Sequence, residues 1–85
     1  MTYEVEFKTS TLKQIRKLPP QTAKAIVVAI DNLRTNPRKG NVRPMVGSIS
    51  WRLRVGDYRV IYDIYDQTLV ILILKVKHRR DVYKK

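Results

Sequence analysis

The 85-residue sequence has no cysteine, which excludes a disulfide framework and any thiolate-held metal. It has one histidine, His78, so a ribonuclease mechanism built on two imidazoles cannot be assembled. Acidic residues are scarce, seven against eighteen Lys and Arg. Asp57 and Asp66 fall in turn segments and Asp63 stands alone in a strand, so no carboxylate group has metal-binding spacing. There is no glycine-rich phosphate loop and no Ser/His/Asp order. The longest apolar run, residues 69–74, is far short of the ~20 residues of a membrane-spanning helix. The opening MTYEVEFKTS lacks the apolar centre of a signal peptide. These absences lead us to expect a cytoplasmic protein with no membrane association, metal or cofactor.

What the sequence has in abundance is positive charge. The formal net charge is +11, and the sequence pI is near 10.4. Like charge at that density repels itself, so it calls for a polyanionic partner: nucleic acid first, an anionic membrane surface second, with an acidic protein compatible with either. The 44% hydrophobic content is that of a folded chain, and the length suits one domain over 1–85.

The apolar pattern predicts an α+β fold. Tyr3, Val5 and Phe7 alternate with Glu4 and Glu6, which predicts a half-buried strand. In TSTLKQIRKLPP, Ser10 or Thr11 is placed to cap a short helix with Leu12, Ile15 and Leu18 inward and Lys13, Arg16 and Lys17 outward. Pro19 stops it and Pro20 opens the next helix. There Ala23, Ile26, Val27, Ile30 and Leu33 keep helical spacing up to Asn36-Pro37. A loop with a short strand near 42–46 follows, then strands at 50–55, 58–65 and 68–77 joined by Gly56-Asp57 and Asp66-Gln67. The expected order is β-α-α-β-β-β-β: a strand, a two-helix hairpin on one face of the sheet, and an antiparallel meander. LVILILKV is apolar on both faces, as an interior strand must be.

The chemistry concentrates in WRLRVGDYRVIY. A period of two puts Arg52 and Arg54 on one face and Trp51, Leu53 and Val55 on the other, and Arg59 follows across the turn. Lys75 and Lys77 share parity with Ile71 and Ile73, so part of that face stays polar. The tail adds His78, Arg79, Arg80 and Tyr83. Arginine on a solvated sheet face can simply shield its own stem, and His78, in step with Leu74 and Val76, can point inward. Guanidinium forks clustered on adjacent strands nevertheless suit phosphodiester oxygens. RNA brings its own nucleophile, the 2′-hydroxyl. Arginine can stabilise the phosphorane but is a poor proton carrier, leaving proton transfer to His78, Tyr83, a lysine or the surroundings.

WRLRVGDYRVIY, the apolar strand and KHRRDVY together resemble the RelE branch of the RelE/ParE toxin superfamily, and LKQIRKLPP…AIVVAIDNLRTNP is similar to that family's helical hairpin. The resemblance spans essentially the whole chain. It implies a toxin of a toxin–antitoxin pair that enters the ribosomal A site, beside the 16S rRNA, and cuts mRNA there by metal-independent 2′-hydroxyl attack. By position, Arg52 and Arg54 would contact mRNA phosphates, Arg54 counted with the catalytic set. Arg59 would stabilise the transition-state phosphate, Arg79 would lie near the leaving oxygen, and Tyr83 would stack on or orient the cleaved nucleotide. Lys75, Lys77, His78 and Arg80 complete the expected RNA-binding set. Some relatives carry lysine where this chain has Arg52 and Arg54, which brings His78 forward as a proton carrier. A RelB-like antitoxin is the implied protein partner. Two alternatives stand beside this reading: a ParE-like inhibitor of DNA gyrase, and a nucleic-acid-binding module without catalysis.

Overall fold

A computed structural model describes residues 2–82. The elements, in chain order, are β1 (Glu4–Phe7), α1 (Thr9–Arg16), α2 (Pro20–Asn32), β2 (Val42–Pro44), β3 (Trp51–Val55), β4 (Tyr58–Tyr65), β5 (Val70–His78) and the short α3 (Arg79–Val82). One sheet has the order β1-β5-β4-β3-β2. The meander β2–β5 is antiparallel, whereas β1, separated from the meander by both helices, pairs parallel to β5. At the β3–β4 turn Gly56 takes φ +57, the positive angle that glycine supplies at the first central position of a two-residue hairpin turn.

The helices cover one face of the sheet. Ile15, Ile26, Ile30 and Leu33 are buried against Leu53, Val60, Tyr62, Ile71, Ile73 and Val76, each such side chain worth ~1.5–3 kcal/mol relative to exposure. Tyr62 reaches through this layer to donate its hydroxyl to the Pro37 carbonyl at 2.6 Å. Near the rim, Asp66 accepts two hydrogen bonds from Arg38 (3.1 and 2.8 Å) and one from the Tyr3 hydroxyl (2.7 Å). Arg38 also stacks 5.9 Å from the Trp51 ring centre. These contacts tie the loop after α2 to β1 and to the β4–β5 turn.

Several local expectations are corrected. Neither Ser10 nor Thr11 caps α1, which begins at Thr9 after Lys8 without a side-chain cap bond. Thr11 is instead fully buried, and its hydroxyl donates to the Leu74 carbonyl at 2.6 Å and lies 3.3 Å from that of Ile73. Leu12 and Val27 are exposed rather than inward, because Thr11, Ile15, Ile26, Ile30 and Leu33 already occupy the contact with the sheet. The second helix ends at Asn32, earlier than Asn36-Pro37. The short strand stops at Pro44 and β3 starts at Trp51. The β4–β5 connection takes residues 66–69, with Leu69 at φ +55, so β5 starts at Val70 and runs on to His78.

β5 slips by one residue against β4. Tyr62 pairs with Ile73, but Ile61 pairs with Lys75, leaving Leu74 as the extra residue of a bulge. Unbroken alternation would have placed Lys75 and Lys77 beside Ile71 and Ile73, as their parity suggested. The bulge turns both lysines to the open face and sends Val76 into the core. Without it, two ammonium groups would lie under the helices and Val76 would face water, the costlier arrangement. α1 seals the bulge. Besides the Thr11 bond, the Lys8 N–H donates to the Ile73 carbonyl (3.2 Å), and the Gln14 side-chain carbonyl accepts the Val76 N–H (3.1 Å). This covers β5 where β1 has run out.

Candidate nucleic-acid interface

The sheet face away from the helices is cationic, and the ladder register shows how. Arg54 lies opposite Arg59, and Arg59 opposite Lys77. One step along, Arg43 lies opposite Arg52, Arg52 opposite Ile61, and Ile61 opposite Lys75. Directly opposed residues of an antiparallel pair share a face with Cβ atoms ~4.5–5.5 Å apart. Six cations thus form two rows across four strands. Like charges gathered on one face repel one another, so the assembly is electrostatically loaded. Among the described residues the ion pairs join Arg34 to Asp31, Arg38 to Asp66 and Arg79 to Asp57; none neutralises either row. The acidic side chains of this face stand apart. Asp63 accepts the Ser50 hydroxyl at 2.5 Å, and Glu4 and Glu6 occupy the far edge strand.

Arg43, Arg52, Arg54 and Arg59 converge on a concavity of about 480 Å³, whose remaining wall is the 40–44 backbone segment. The Arg54 N–H donates to the Asn41 carbonyl at 2.9 Å, which fixes that wall against β3. Arg59 is half-buried. Its Nη1 donates to the carbonyls of Tyr58 (3.1 Å) and Gly56 (3.4 Å), which orients the guanidinium while its other N–H groups have no partner among the described residues. Such a fork, held by one nitrogen, presents the rest to an anion.

The tail residues divide. The Arg79 N–H donates to the Asp57 carbonyl at 2.6 Å, and its guanidinium stands 3.9 Å from the Asp57 carboxylate. Arg79 and Arg59 therefore flank the same β3–β4 turn. Arg80 is exposed. His78 does not join the cationic rows. It pairs with Tyr58 on the helix side, ring against ring at 5.0 Å and 86°, and its Nδ1 accepts the Arg80 N–H at 3.2 Å. That hydrogen bond leaves Nε2 to carry the proton of the neutral ring. Tyr83 lies outside the described residues.

Arg43 is the residue that sequence reasoning passed over. Its segment, NVRPMV, is too short to show a period, and only its pairing with Arg52 places it on this face. The available signal was Val42, whose burial against the core turns the next side chain outward. The rows also depend on the Leu74 bulge. Its trace in the sequence is that Ile71 and Ile73 have one parity and Val76 the other.

The family model described as the ParE toxin of the type II toxin–antitoxin system parDE matches residues 5–83. The toxin RelG of Mycobacterium tuberculosis is 37% identical over 89 residues, covering 100% of both chains. The mRNA interferase toxin RelE of Escherichia coli is 29% identical over 98% of this chain and 92% of its own. Among solved structures, the archaeal RelE–RelB complex from Pyrococcus horikoshii matches with a TM-score of 0.82 at 34% identity, over 93% of this chain and 97% of that one. The family model carries the ParE name, while these relatives carry RelE and RelG names. The ParE-like alternative is therefore not favoured, and the chain belongs to the RelE branch of the RelE/ParE superfamily of type II toxin–antitoxin toxins.

Proposed function

We propose that this toxin is an mRNA endoribonuclease acting without metal in the ribosomal A site, with residues 1–85 as one toxin domain. The carrying observation is the pair of cation rows, one of them centred on Arg59, on the sheet face away from the helices. An extended RNA backbone crossing the rows meets Arg52 and Arg54 on one side of Arg59 and Lys77 on the other. The 2′-oxygen attacks the adjacent phosphorus as its proton departs. Arg59 stabilises the charge of the resulting phosphorane. The 5′-oxygen leaves and takes up a proton, giving a cyclic phosphate and a free 5′-hydroxyl. Arg79, beside the same turn, serves near the leaving oxygen; Tyr83 orients the nucleotide; Lys75 and Arg80 add phosphate contacts. His78, packed on Tyr58, is a better support for that end of the sheet than a proton carrier at the phosphate. The site is open, and cation-only chemistry gains most from a scaffold that holds the RNA in line, which supports a requirement for the ribosome and its 16S rRNA. A RelB-like antitoxin is the proposed protein partner, supported by the RelE–RelB pairing of the Pyrococcus relative and by the +11 charge.

The test is primer extension on mRNA in ribosomes with an empty A site, with wild-type protein and Arg59→Ala, and again without ribosomes. The expected result is a cut in the A-site codon that needs ribosomes, reduced ~100- to 1,000-fold in Arg59→Ala, the usual cost of one transition-state donor. Absence of any cut by wild type would leave gyrase inhibition or plain nucleic-acid binding as the account.

A further inference from the structure

Beside the arginine-lined concavity lies a second, smaller one of about 230 Å³, lined by Met45, Arg52, Ile61, Lys75 and Lys77. Ile61 is only 8% exposed, yet it lies outside the core cluster beneath the helices. It sits on the opposite side of the sheet, flanked across the ladder by Arg52 and Lys75. Half-buried Met45 stands on a loop that is already ordered. The Met45 N–H donates to the Ser50 carbonyl (2.9 Å), the Met45 carbonyl accepts the Ser48 N–H (3.3 Å), and Ser48 Oγ accepts the Ser50 N–H (3.0 Å). An apolar floor and a thioether wall are thus in place within a ring of donors.

We propose that this cleft receives one unstacked base of the RNA whose phosphates cross the cation rows, making Met45 and Ile61 a base-binding subsite. The inference rests on the ribonuclease reading for the identity of the strand. The Ile61 methyls and the polarisable Met45 sulfur suit the flat faces of a base. The base's acceptor edge meets Lys75, Lys77 and Arg52, which can only donate. The volume is below the roughly 300–1,000 Å³ of sites for drug-sized ligands and fits one ring system. An apolar protein side chain would fill the floor but leave three cations without a counter-charge. A nucleotide fills the floor and brings its phosphate to the rim.

The test is equilibrium binding, by fluorescence anisotropy, of a short single-stranded RNA made uncleavable with 2′-O-methyl riboses. It is compared with a series in which each position in turn is abasic. Wild-type protein is expected to lose about 2- to 12-fold in affinity at one position, the worth of one thioether–ring contact. Met45→Ala should bind intact RNA more weakly and lose most of that difference. Met45→Leu, which keeps the apolar bulk, should retain it, and the salt dependence should stay unchanged because the phosphate contacts are untouched. The proposal is overturned if no abasic position matters to wild type, or if Met45→Ala weakens intact and abasic RNA equally. It is equally overturned if Met45→Ala leaves RNA binding intact and weakens only the complex with the cognate antitoxin, which would assign the cleft to a protein. Because the readout is binding of an uncleavable strand, its failure is separate from a failure of A-site cleavage.

Discussion

Replacing Thr11 by valine tests the link between the helical layer and the cationic face. The two side chains have nearly the same shape, so the substitution removes one hydroxyl and little volume. Thr11 is fully buried, and its hydroxyl donates at 2.6 Å to Leu74, the bulged residue. The nearby Ile73 carbonyl keeps the Lys8 N–H at 3.2 Å, so the loss falls on Leu74. The Leu74 carbonyl is part-buried, so the loss is the net worth of one hydrogen bond, ~0.5–1.5 kcal/mol. For a domain of this size each 1 kcal/mol lowers Tm by ~4–8 °C, so Thr11→Val should melt ~2–12 °C below wild type. Thr11→Ser, which keeps the donor, should lose less. The assay is thermal and urea denaturation of all three proteins, with RNA affinity measured on the folded variants. Since the bulge turns Lys75 and Lys77 outward, a loosened bulge should also weaken RNA binding. A Thr11→Val protein within ~0.5 kcal/mol of wild type and with unchanged RNA affinity would refute the reasoning that this hydroxyl secures the bulge.

Two further outcomes follow from groups outside the cation rows. Tyr62→Phe removes the donor to the buried Pro37 carbonyl and should cost ~1–3 kcal/mol by urea denaturation; burial pushes the Tyr62 phenol well above its ordinary pKa, so in wild type it should add no phenolate absorbance on alkaline titration until the fold opens. The Arg38 guanidinium, and then the Tyr3 hydroxyl, hold Asp66 below the ordinary carboxylate pKa. Its contribution is therefore present above the unfolded value of ~3.9 and lost as pH falls through the lower folded value. Asp66→Asn should be less stable than wild type at neutral pH, and a gap that persisted unchanged at the acid end would refute the pairing. Added salt should shrink the neutral-pH gap, since the pair is exposed.

The sequence by itself determined the order of the elements and the strong positive charge of the chain. Alternation in Trp51–Val55 and Tyr58–Tyr65 separated Arg52, Arg54 and Arg59 from the core residues without any tertiary information, because the strand period is a local property of the backbone. Pro20, Gly56 and the spacing of Ile26, Ile30 and Leu33 marked the second helix and the hairpin for the same reason. Only tertiary structure decided what depends on pairing between distant segments. That β1 lies parallel beside β5, that Thr11 is an internal hydroxyl rather than a cap, and that Leu12 and Val27 face water follow from how little room the sheet leaves under two helices. The site divides in the same way. Its arginines were legible, but Arg43 entered through its register with Arg52, and Lys75 and Lys77 reached the open face through a bulge that resolves a conflict among Ile71, Ile73 and Val76. His78 was removed from that face by the same slip, to end against Tyr58. Local periodicity says which side chains stay together along one strand. Which face they share with other strands is fixed when the chain chooses which of them to bury.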